Sequence, residues 1–448
     1  MKSFQKNYLW IVATLVLSVG YISNCTKNDQ VINLAASGTN TSMLITQKVA
    51  TGPTVDGVVD GIWASAAKLL AVPQVPDPGN ALFAGYQGTT VNVTLRSVYD
   101  GTYIYFLAEY PDSTKNKSVQ PWYFDPSLNV AGKTGWVQEP NSRQFDVNGV
   151  LTREGKGTDQ LAMLWNIDNS TAKFTAQTCY ASCHLFTPYR NFAGVMVPNK
   201  SANHYTNGPN EKIDMWWLRL DKELANAQMD DEYQDWAGGP SVTDTVGGAG
   251  NGRHADDLVP PSPYSSSYIN TNPSLSNGPF NNRVSLKLDG TGASVNVPAW
   301  IIPGAIDLPF IKASDTLAGG NARKITGVSS TGILTYTGGT IDPAIDPAYQ
   351  KQAGVYGGVG SKCFPSFITA PYTMGRADFS AQATYTGSGW IVEWKRLLNT
   401  NSTLKQDIDF TKGIVNGQMQ DQPFGLAIFN NSNYQHAIKP NLLLRFQQ

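Results

Sequence analysis

The chain has 448 residues and a formal net charge of −1, and only 15% of its residues are charged. A near-neutral chain without blocks of like charge excludes a nucleic-acid-binding stripe and an extended charged tail. The 42 glycines, together with many Thr, Ser, Asn and Tyr residues, are typical of a loop-rich β protein outside the cytoplasm.

The first residues of the chain predict export. Two lysines precede an apolar run from Tyr8 to Val19, and small and polar residues follow as far as Cys25. This order is that of a signal peptide, and the apolar run is too short for a membrane span. We therefore expect a signal peptide over 1–25 and a polar tether over 26–47, with the mature protein in the periplasm or at the cell surface.

A lipid anchor is predicted at the end of the signal peptide. Ile22-Ser23-Asn24-Cys25 resembles a bacterial lipoprotein box, in which the cysteine is lipid-modified after cleavage. Asn24 departs from the Gly or Ala that is usual there, and cleavage of an ordinary signal at another position is the alternative. Because Thr26 rather than Asp follows Cys25, nothing indicates retention in the inner membrane, so we expect anchoring to the outer membrane.

Alternating patterns in the body of the chain predict strands. Residues 90–112 contain two alternating apolar runs around Asp100-Gly101, which is the signature of a β-hairpin. The run 159–168 is mostly apolar and suits a strand buried on both faces. Further strands are predicted at 214–220, 283–290, 389–398, 423–431 and 441–446.

One segment favours a helix, and two favour insertions. Residues 221–236 begin with acidic side chains suited to a helix N-terminus, and the acidic run 230–232 is interpreted as a solvated helix end. The stretches 237–282 and 315–362 are Gly- and Pro-rich and predict long excursions. The whole pattern predicts an all-β fold over 48–448, an immunoglobulin-like or jelly-roll-type β-sandwich with long loop insertions and a few short helices.

The sequence AQTCYASCHLFTP, residues 176–188, contains half of the four cysteines and one of the four histidines of the chain. Three chemistries fit Cys179, Cys183 and His184. The first is covalent haem, in which each thiol adds to a vinyl group and the histidine binds iron, although the spacer has three residues instead of the usual two. The second is zinc, and the third is a local disulfide beside an incidental histidine.

The zinc and disulfide alternatives make different demands on the rest of the chain. Zinc would need one more ligand, from His204, His254 or His436, and structural zinc sites usually add a second pair of cysteines that is absent here. A disulfide between the paired cysteines would leave Cys363 over. That residue has no obvious partner and needs either burial as a thiol or pairing elsewhere.

Several separate stretches carry a resemblance to a known family. They are 54–69, 97–114, 158–167, 212–220, 388–400 and 423–440. In this order they resemble the haem-binding subunit of ethylbenzene dehydrogenase and its relatives, and Cys-x-x-x-Cys-His after 158–167 resembles the branch that carries its haem covalently. The opening stretch is shared with family 9 carbohydrate-binding modules, whose β-sandwich is related. The resemblance spans roughly 50–448 apart from the two insertions.

The resemblance implies one covalent haem c between the sheets near one end of the sandwich. His184 takes one axial position on the iron. For the other we expect His436, because it lies in the closing segment where the family places its second ligand. Lys439 and Met196 are the alternatives, and noncovalent members of the family hold haem b between a Met and a Lys.

The remaining histidines and the tryptophans have simpler interpretations. We expect His204 and His254 to be solvated loop residues. The tryptophans at prominent positions are expected mostly in the core, with one or two beside the cofactor; they are Trp63, Trp165, Trp216, Trp217, Trp390 and Trp394.

The expected function is that of an exported monohaem c-type cytochrome. It would exchange electrons with another redox protein, either a molybdenum oxidoreductase or another cytochrome, and would be an electron-transfer protein or redox subunit rather than a stand-alone catalyst. The sequence contains no hydrolase or phosphate-loop motif. The alternative is a surface carbohydrate- or ligand-binding β-sandwich module without haem.

Overall fold

The computed structural model describes most of the chain from residue 39 onward. The described residues are 39–77, 83, 85–116, 118–146, 150–153, 155–183, 204–236, 252–256, 278–305, 307–351, 362–412, 420–433 and 435–447, with the backbone of 189–190 and 196–197. The predicted signal peptide with Cys25, the ligand His184 and most of the 237–282 insertion lie outside them. All described residues fall in one compact unit, Ala36–Gln448. None of the helices in this part of the chain is long and apolar enough to span a membrane.

Strands dominate the described structure. In chain order they are β1 (Thr39–Asn40), β2 (Met43–Lys48), β3 (Lys68–Ala71), β4 (Val93–Tyr99), β5 (Tyr103–Pro111), β6 (Trp122–Phe124), β7 (Trp136–Gln138), β8 (Gln144–Phe145), β9 (Leu151–Arg153), β10 (Gln160–Asn166), β11 (Tyr189–Arg190), β12 (Met196–Val197), β13 (Ile213–Arg219), β14 (Asp230–Gln234), β15 (Arg253–Ala255), β16 (Phe280–Asn281), β17 (Val284–Lys287), β18 (Ser294–Val297), β19 (Trp300–Ile301), β20 (Ile311–Lys312), β21 (Arg323–Val328), β22 (Leu334–Tyr336), β23 (Gly339–Ile341), β24 (Phe367–Thr369), β25 (Ser380–Tyr385), β26 (Gly389–Leu397), β27 (Gln422–Phe429) and β28 (Ala437–Gln447).

Helical structure in the described residues is short. The α-helix α1 spans Phe174–Gln177. The 3-10 helices are Gly61–Ala64, Pro126–Leu128, Ile167–Asn169, Thr178–Ala181, Leu224–Asn226, Ala313–Thr316, Pro347–Tyr349 and Met374–Ala377.

The main sheet has thirteen strands, in the order β15-β14-β13-β10-β27-β28-β2-β4-β5-β26-β25, with β3 paired to β4 and β1 paired to β3. Most neighbours are antiparallel, but β2 runs parallel to both β28 and β4. Strand β2 therefore joins the two halves of the sheet. It lies largely inside the stretch predicted as a polar tether, so the sheet begins earlier in the chain than the sequence predicts.

The two halves of this sheet pack face to face. Phe106 on β5 contacts Trp165 on β10 and Trp216 on β13, with ring centroids 6.2 and 5.6 Å apart. It also stacks on Trp394 of β26 at 5.2 Å. The four rings are buried between the layers. This packing confirms the predicted all-β sandwich.

A second core lies under the smaller sheets. Strands β19, β21, β22 and β23 form a four-stranded sheet, and β17 pairs with β18. Their apolar side chains pack with Trp122 and Trp136 of the β6–β7 hairpin. Leu334 and Ile341, inside the predicted 315–362 insertion, are buried in this cluster. That insertion is thus largely a small β structure with its own core.

The predicted strands are confirmed, and the predicted helix is wrong. The hairpin is β4–β5, and the other six predicted strands are β10, β13, β17, β26, β27 and β28. Residues 221–236 form only the 3-10 turn Leu224–Asn226 followed by strand β14, all of whose residues are buried. The physical reason is that guanidinium groups from other segments pair with two of its acidic side chains, as Arg376 does with Asp230 at 2.6 Å and Arg253 with Glu232.

Candidate functional site

One cavity on the outer face of the main sheet collects the residues singled out by the sequence. We call it the cysteine cavity; its walls include Cys179, Cys183, His204, His436 and Trp217. The described residues enclose about 100 Å³ there, less than the roughly 300–1,000 Å³ usual for an enclosed small-molecule site. It therefore accommodates an edge of a large cofactor rather than all of one.

The cysteine segment is a tight turn laid across the sheet. Helix α1 ends at Gln177, and Thr178 adopts a left-handed φ of 41° that starts the 3-10 helix bearing Cys179. The backbone N–H of Cys183 donates to the carbonyl of Cys179 at 3.0 Å. This bond closes one turn, so both thiols are presented from a single short loop.

Gly425 on β27 makes room for the first thiol. A Cβ at this position would lie 2.7 Å from the Sγ of Cys179, closer than atoms in contact can approach. Because glycine has no side chain, it leaves room for the Sγ of Cys179 against strand β27. The sequence shows a glycine inside a predicted strand, but only the structure shows what approaches it.

Replacing Gly425 with alanine is expected to lower the free energy of unfolding by about 1–3 kcal/mol, because the new methyl group overpacks against Cys179. Urea unfolding of the full chain followed by tryptophan fluorescence measures it. Gly61→Ala is the matched control, since nothing lies within 4 Å of a Cβ there. Equal stability of the two variants would contradict the close contact.

No disulfide joins Cys179 and Cys183 in the structure. Burial, with a smaller contribution from Cys183, raises the pKa of the Cys179 thiol to about 12. Cys363 is also a buried thiol, 3.3 Å from the Oδ1 of Asp307. Its burial answers the question that the sequence raises about the leftover cysteine.

The geometry of the cysteine cavity differs from that of a zinc site. Zinc bonds of roughly 2.0–2.3 Å hold tetrahedral ligand atoms about 3.4–3.8 Å apart. Within the described residues, no three ligand atoms drawn from Cys179, Cys183, His204 and His436 lie within 4.8 Å of one another.

His204 is a cavity residue that the sequence does not reveal. It forms an isolated antiparallel bridge with Cys183, beside a hydrogen bond from the N–H of Tyr205 to the carbonyl of Ser182 at 3.1 Å. On its other side the N–H of Gly252 donates to the carbonyl of His204 at 2.6 Å. Its exposure is intermediate, so it is neither the fully solvated loop residue expected from the sequence nor a core residue.

His436 lies on an aromatic wall of the cysteine cavity. Its ring stacks on Phe429 with centroids 4.5 Å apart and an interplanar angle of 24°. Phe429 stacks in turn on Trp217 at 5.9 Å, and the guanidinium carbon of Arg253 lies 3.9 Å from the Trp217 ring centroid. The wall fixes the imidazole plane and covers one side of the cavity with apolar surface. Trp217 lines the cysteine cavity; that one or two tryptophans lie beside a cofactor stays a prediction.

The other proposed ligands lie elsewhere or outside the described part. Ile438 lines the cysteine cavity, so the next residue of β28, Lys439, points to the opposite face of the sheet. Met196 is the first residue of β12, and its side chain is outside the described residues. The structure thus brings Cys179, Cys183 and His436 together and leaves Lys439 behind the sheet.

His254 is buried, contrary to the expectation from sequence. Its side chain is 3% exposed on β15. The ring packs 4.9 Å from that of Tyr233, and Nε2 lies 2.9 Å from the Oδ1 of Asp235. Both partners come from the end of β14, so His254 closes the edge of the sheet next to the cavity wall.

Sequence comparison identifies a family for part of the chain. Residues 60–264 match the ethylbenzene dehydrogenase family. The matched segment includes the β4–β5 hairpin, β10, the cysteine segment and β13 to β15, and so supplies much of the wall of the cysteine cavity. The resemblance found in the sequence is confirmed there. No curated protein matches the chain.

Two solved structures of a family 9 carbohydrate-binding module from Caldicellulosiruptor kristjanssonii also match, one in complex with glucose and one with cellotriose. They are 9% and 10% identical to the chain, cover 90% of it, and are themselves covered to 95% and 93%. The TM-score is 0.25 in both cases.

Proposed function

We propose that this protein is an exported monohaem c-type cytochrome that carries electrons to or from another redox protein. Cys179 and Cys183 form the two thioether bonds, and His184 binds the iron on one side. His436 is the second axial ligand, with Lys439 and Met196 as the alternatives. The observation that carries the proposal is the meeting of both thiols with the imidazole of His436 in one cavity.

The donor set of the cavity fits haem c. Bound haem supplies a reversible one-electron change at iron, with two protein ligands favouring transfer over oxygen activation. Gly425 gives Cys179 its place at the sheet, and the stack of Phe429 on His436 holds the imidazole plane. Apolar side chains of β10 and β27, such as Ala162 and Ala427, exclude water from the wall.

The partner and the location follow from the family and the N-terminus. The family match relates the chain to ethylbenzene dehydrogenase, and on that basis we place it beside a molybdenum oxidoreductase, with another cytochrome as the second choice. The predicted signal peptide over 1–25 takes the protein out of the cytoplasm, and lipid on Cys25 anchors it to the outer membrane.

A carbohydrate- or ligand-binding module without haem is the second candidate function. A cleft of about 770 Å³, whose lining includes the polar side chains of Asp112, Asn116, Asn430 and Asn431, opens beside the cysteine cavity and shares His436 with it. Its volume falls in the roughly 300–1,000 Å³ range of small-molecule sites. Its amide and carboxylate groups suit a neutral hydroxylated ligand.

The colour of the protein separates the two functions. We expect full-length protein, expressed with haem-maturation machinery, to be red and to keep its haem through acid–acetone extraction. Colourless protein that is retained on immobilised glycans would favour the second candidate. The reduced-minus-oxidised absorbance spectrum and an intact mass measurement are the readouts.

Replacing His436 with alanine is expected to abolish the low-spin bands of the reduced spectrum, because the iron loses its second imidazole. The covalent haem content should stay at the wild-type level. Lys439→Ala is the matched control and should leave the spectrum unchanged, since that side chain faces away from the cavity. Low-spin bands that persist in His436→Ala and disappear in Lys439→Ala would make Lys439 the ligand.

A further inference from the structure

A cluster of buried carboxylates lies behind the wall of the cysteine cavity. Asp214 on β13, Asp231 on β14 and Asp407 in the loop after β26 each offer an oxygen, and these oxygens lie within 4.8 Å of one another. The first two side chains are completely buried and the third is 7% exposed. The sequence places them far apart and gives no sign that they meet.

Among the described residues, the positive charge in contact with the cluster is too small to balance it. Nη1 of Arg396 lies 2.8 Å from Asp214 Oδ2, 3.0 Å from Asp407 Oδ1 and 3.7 Å from Asp231 Oδ2. Three carboxylates around one guanidinium leave two negative charges uncompensated if all are ionised. Asp256 brings a further carboxylate close to Asp231 and donates its backbone N–H to the Asp231 carbonyl at 3.2 Å.

Several oxygens of the cluster have no hydrogen-bond partner. Among the described residues none donates to Oδ1 or Oδ2 of Asp231 or to Oδ1 of Asp214, and these atoms are shielded from solvent. A buried carboxylate oxygen without a donor costs several kcal/mol unless a proton or a cation meets it. One oxygen of Asp231 belongs to the group that converges within 4.8 Å, and neither oxygen of this residue accepts a hydrogen bond from the described residues.

We propose that Asp214, Asp231 and Asp407 bind one Ca²⁺ ion. Calcium takes six to eight oxygen ligands at roughly 2.3–2.6 Å, so two ligand oxygens on opposite sides of the ion lie up to about 5 Å apart. The donors here are all carboxylate oxygens, which suits a hard cation and not a thiophilic or imidazole-binding metal.

Such an ion would brace the strands that bear the cysteine cavity. Side chains alternate along β13 and β14, so Asp214 and Asp231 point into the sandwich while Met215 and Gln234 line the cavity on the other face. The proposal does not depend on haem, because it concerns the opposite face of the sheet.

Protonation is the competing way to neutralise the cluster. Burial, and then the neighbouring Asp256, Asp407 and Asp214, raises the pKa of Asp231 well above its ordinary value, and burial raises that of Asp214 to about 6. The two explanations predict opposite effects of Asp231→Asn. An amide replaces a protonated acid at little cost or with a gain in stability, but it removes a ligand from a calcium site.

The test uses the full chain purified without chelator. We expect about one calcium ion per chain by elemental analysis, and a fall in Tm on adding EGTA that excess Ca²⁺ reverses but Mg²⁺ does not. Asp231→Asn should lose both the bound calcium and the response to EGTA. Asp289→Asn, at an exposed position outside the cluster, is the control and should keep both.

Two results would overturn the calcium site. One is wild-type protein that holds no calcium and whose Tm is the same with EGTA and with Ca²⁺, a measurement that needs no variant. The other is an Asp231→Asn protein at least as stable as the wild type that still shows the same calcium content. If Mg²⁺ restored the Tm after EGTA as well as Ca²⁺ does, the site would not be specific for calcium, and the assignment of calcium would be wrong.

Discussion

Protein in which both Cys179 and Cys183 are replaced by alanine is expected to lose essentially all covalently bound haem and still to fold. Each thiol supplies one thioether bond in the proposed attachment, and neither belongs to the main hydrophobic core of the sandwich. The measurement is intact mass together with absorbance after acid–acetone extraction, on full-length protein matured with haem. The wild type should keep the added porphyrin mass, and the double variant should show the mass of the polypeptide alone.

Cys363→Ala provides the control for loss of a thiol as such. That cysteine is 2% exposed and packs on Tyr123 away from the cysteine cavity, so its removal should leave the haem content unchanged. A double variant that keeps the porphyrin mass would contradict the proposed attachment. So would matured wild-type protein in which peptide mapping finds Cys179 and Cys183 joined in a disulfide.

The sandwich was predictable because its strands carry their pattern locally. In the β4–β5 hairpin, Leu95 alternates with the polar Thr94 and Arg96. Ile104 and Phe106 on β5 are buried with Leu95 in the main core. Strand β10 is apolar on both sides because one face meets that core and the other meets the cysteine cavity. Alternation reports which face is buried, and this information is enough to place a strand in a layer.

Strand β14 was not predictable because its stability comes from distant partners. A run of Asp230, Asp231 and Glu232 has the composition of a solvated helix end. In the structure Arg376 reaches Asp230 from another segment, and Arg253 donates to Glu232 at 3.0 Å. The neutralising charges lie outside any sequence window, and without them burial of such a strand would be prohibitive.

Some residues of the candidate site were likewise predictable from local sequence, and others were not. The spacing of Cys179 and Cys183 is a local signal, and the family resemblance adds His436 from the closing segment. His204 and Gly425 carry no such signal, since one enters through its bridge to Cys183 and the other through contact with the Sγ of Cys179. Tertiary contacts alone make these two residues part of the cavity.

Buried carboxylates on the two faces of β13 and β14 have different charge partners. On the cavity face, Asp230 is shared by two guanidinium groups, with Arg376 Nε and Nη2 at 2.6 and 2.7 Å and Arg219 Nη2 in contact. Arg219 also lies 4.7 Å from the ring centroid of Trp217, so this network supports the aromatic wall beside His436. On the opposite face, the cluster around Asp231 has more carboxylates than cations, and there we propose calcium.

Asp230→Asn is expected to lower the free energy of unfolding at neutral pH by about 3–5 kcal/mol, because two buried guanidinium groups lose the carboxylate that they share. Burial alone would raise the pKa of Asp230, but Arg376 and then Arg219 outweigh it and hold the pKa below its usual value. The stabilisation is therefore present at every pH above the ordinary Asp pKa and is lost only as the pH falls through the lower folded value. Urea unfolding at neutral and mildly acidic pH should give the same loss.

Asp421→Asn is the matched control, because it removes the same charge from a largely solvent-accessible pair with Arg445, whose Nε lies 2.9 Å from Oδ1 of Asp421. Exposed pairs contribute only about 0–1 kcal/mol, so this variant should unfold almost like the wild type. Arg376→Lys keeps a positive charge but loses the two-point contact with Asp230. Its stability should lie between those of Asp230→Asn and Asp421→Asn, and this variant provides the measurement if Asp230→Asn does not fold. If Asp230→Asn lowered the free energy of unfolding no more than Asp421→Asn does, the buried guanidinium groups would have found other partners. The proposed support of Trp217 and His436 by this network would then be wrong.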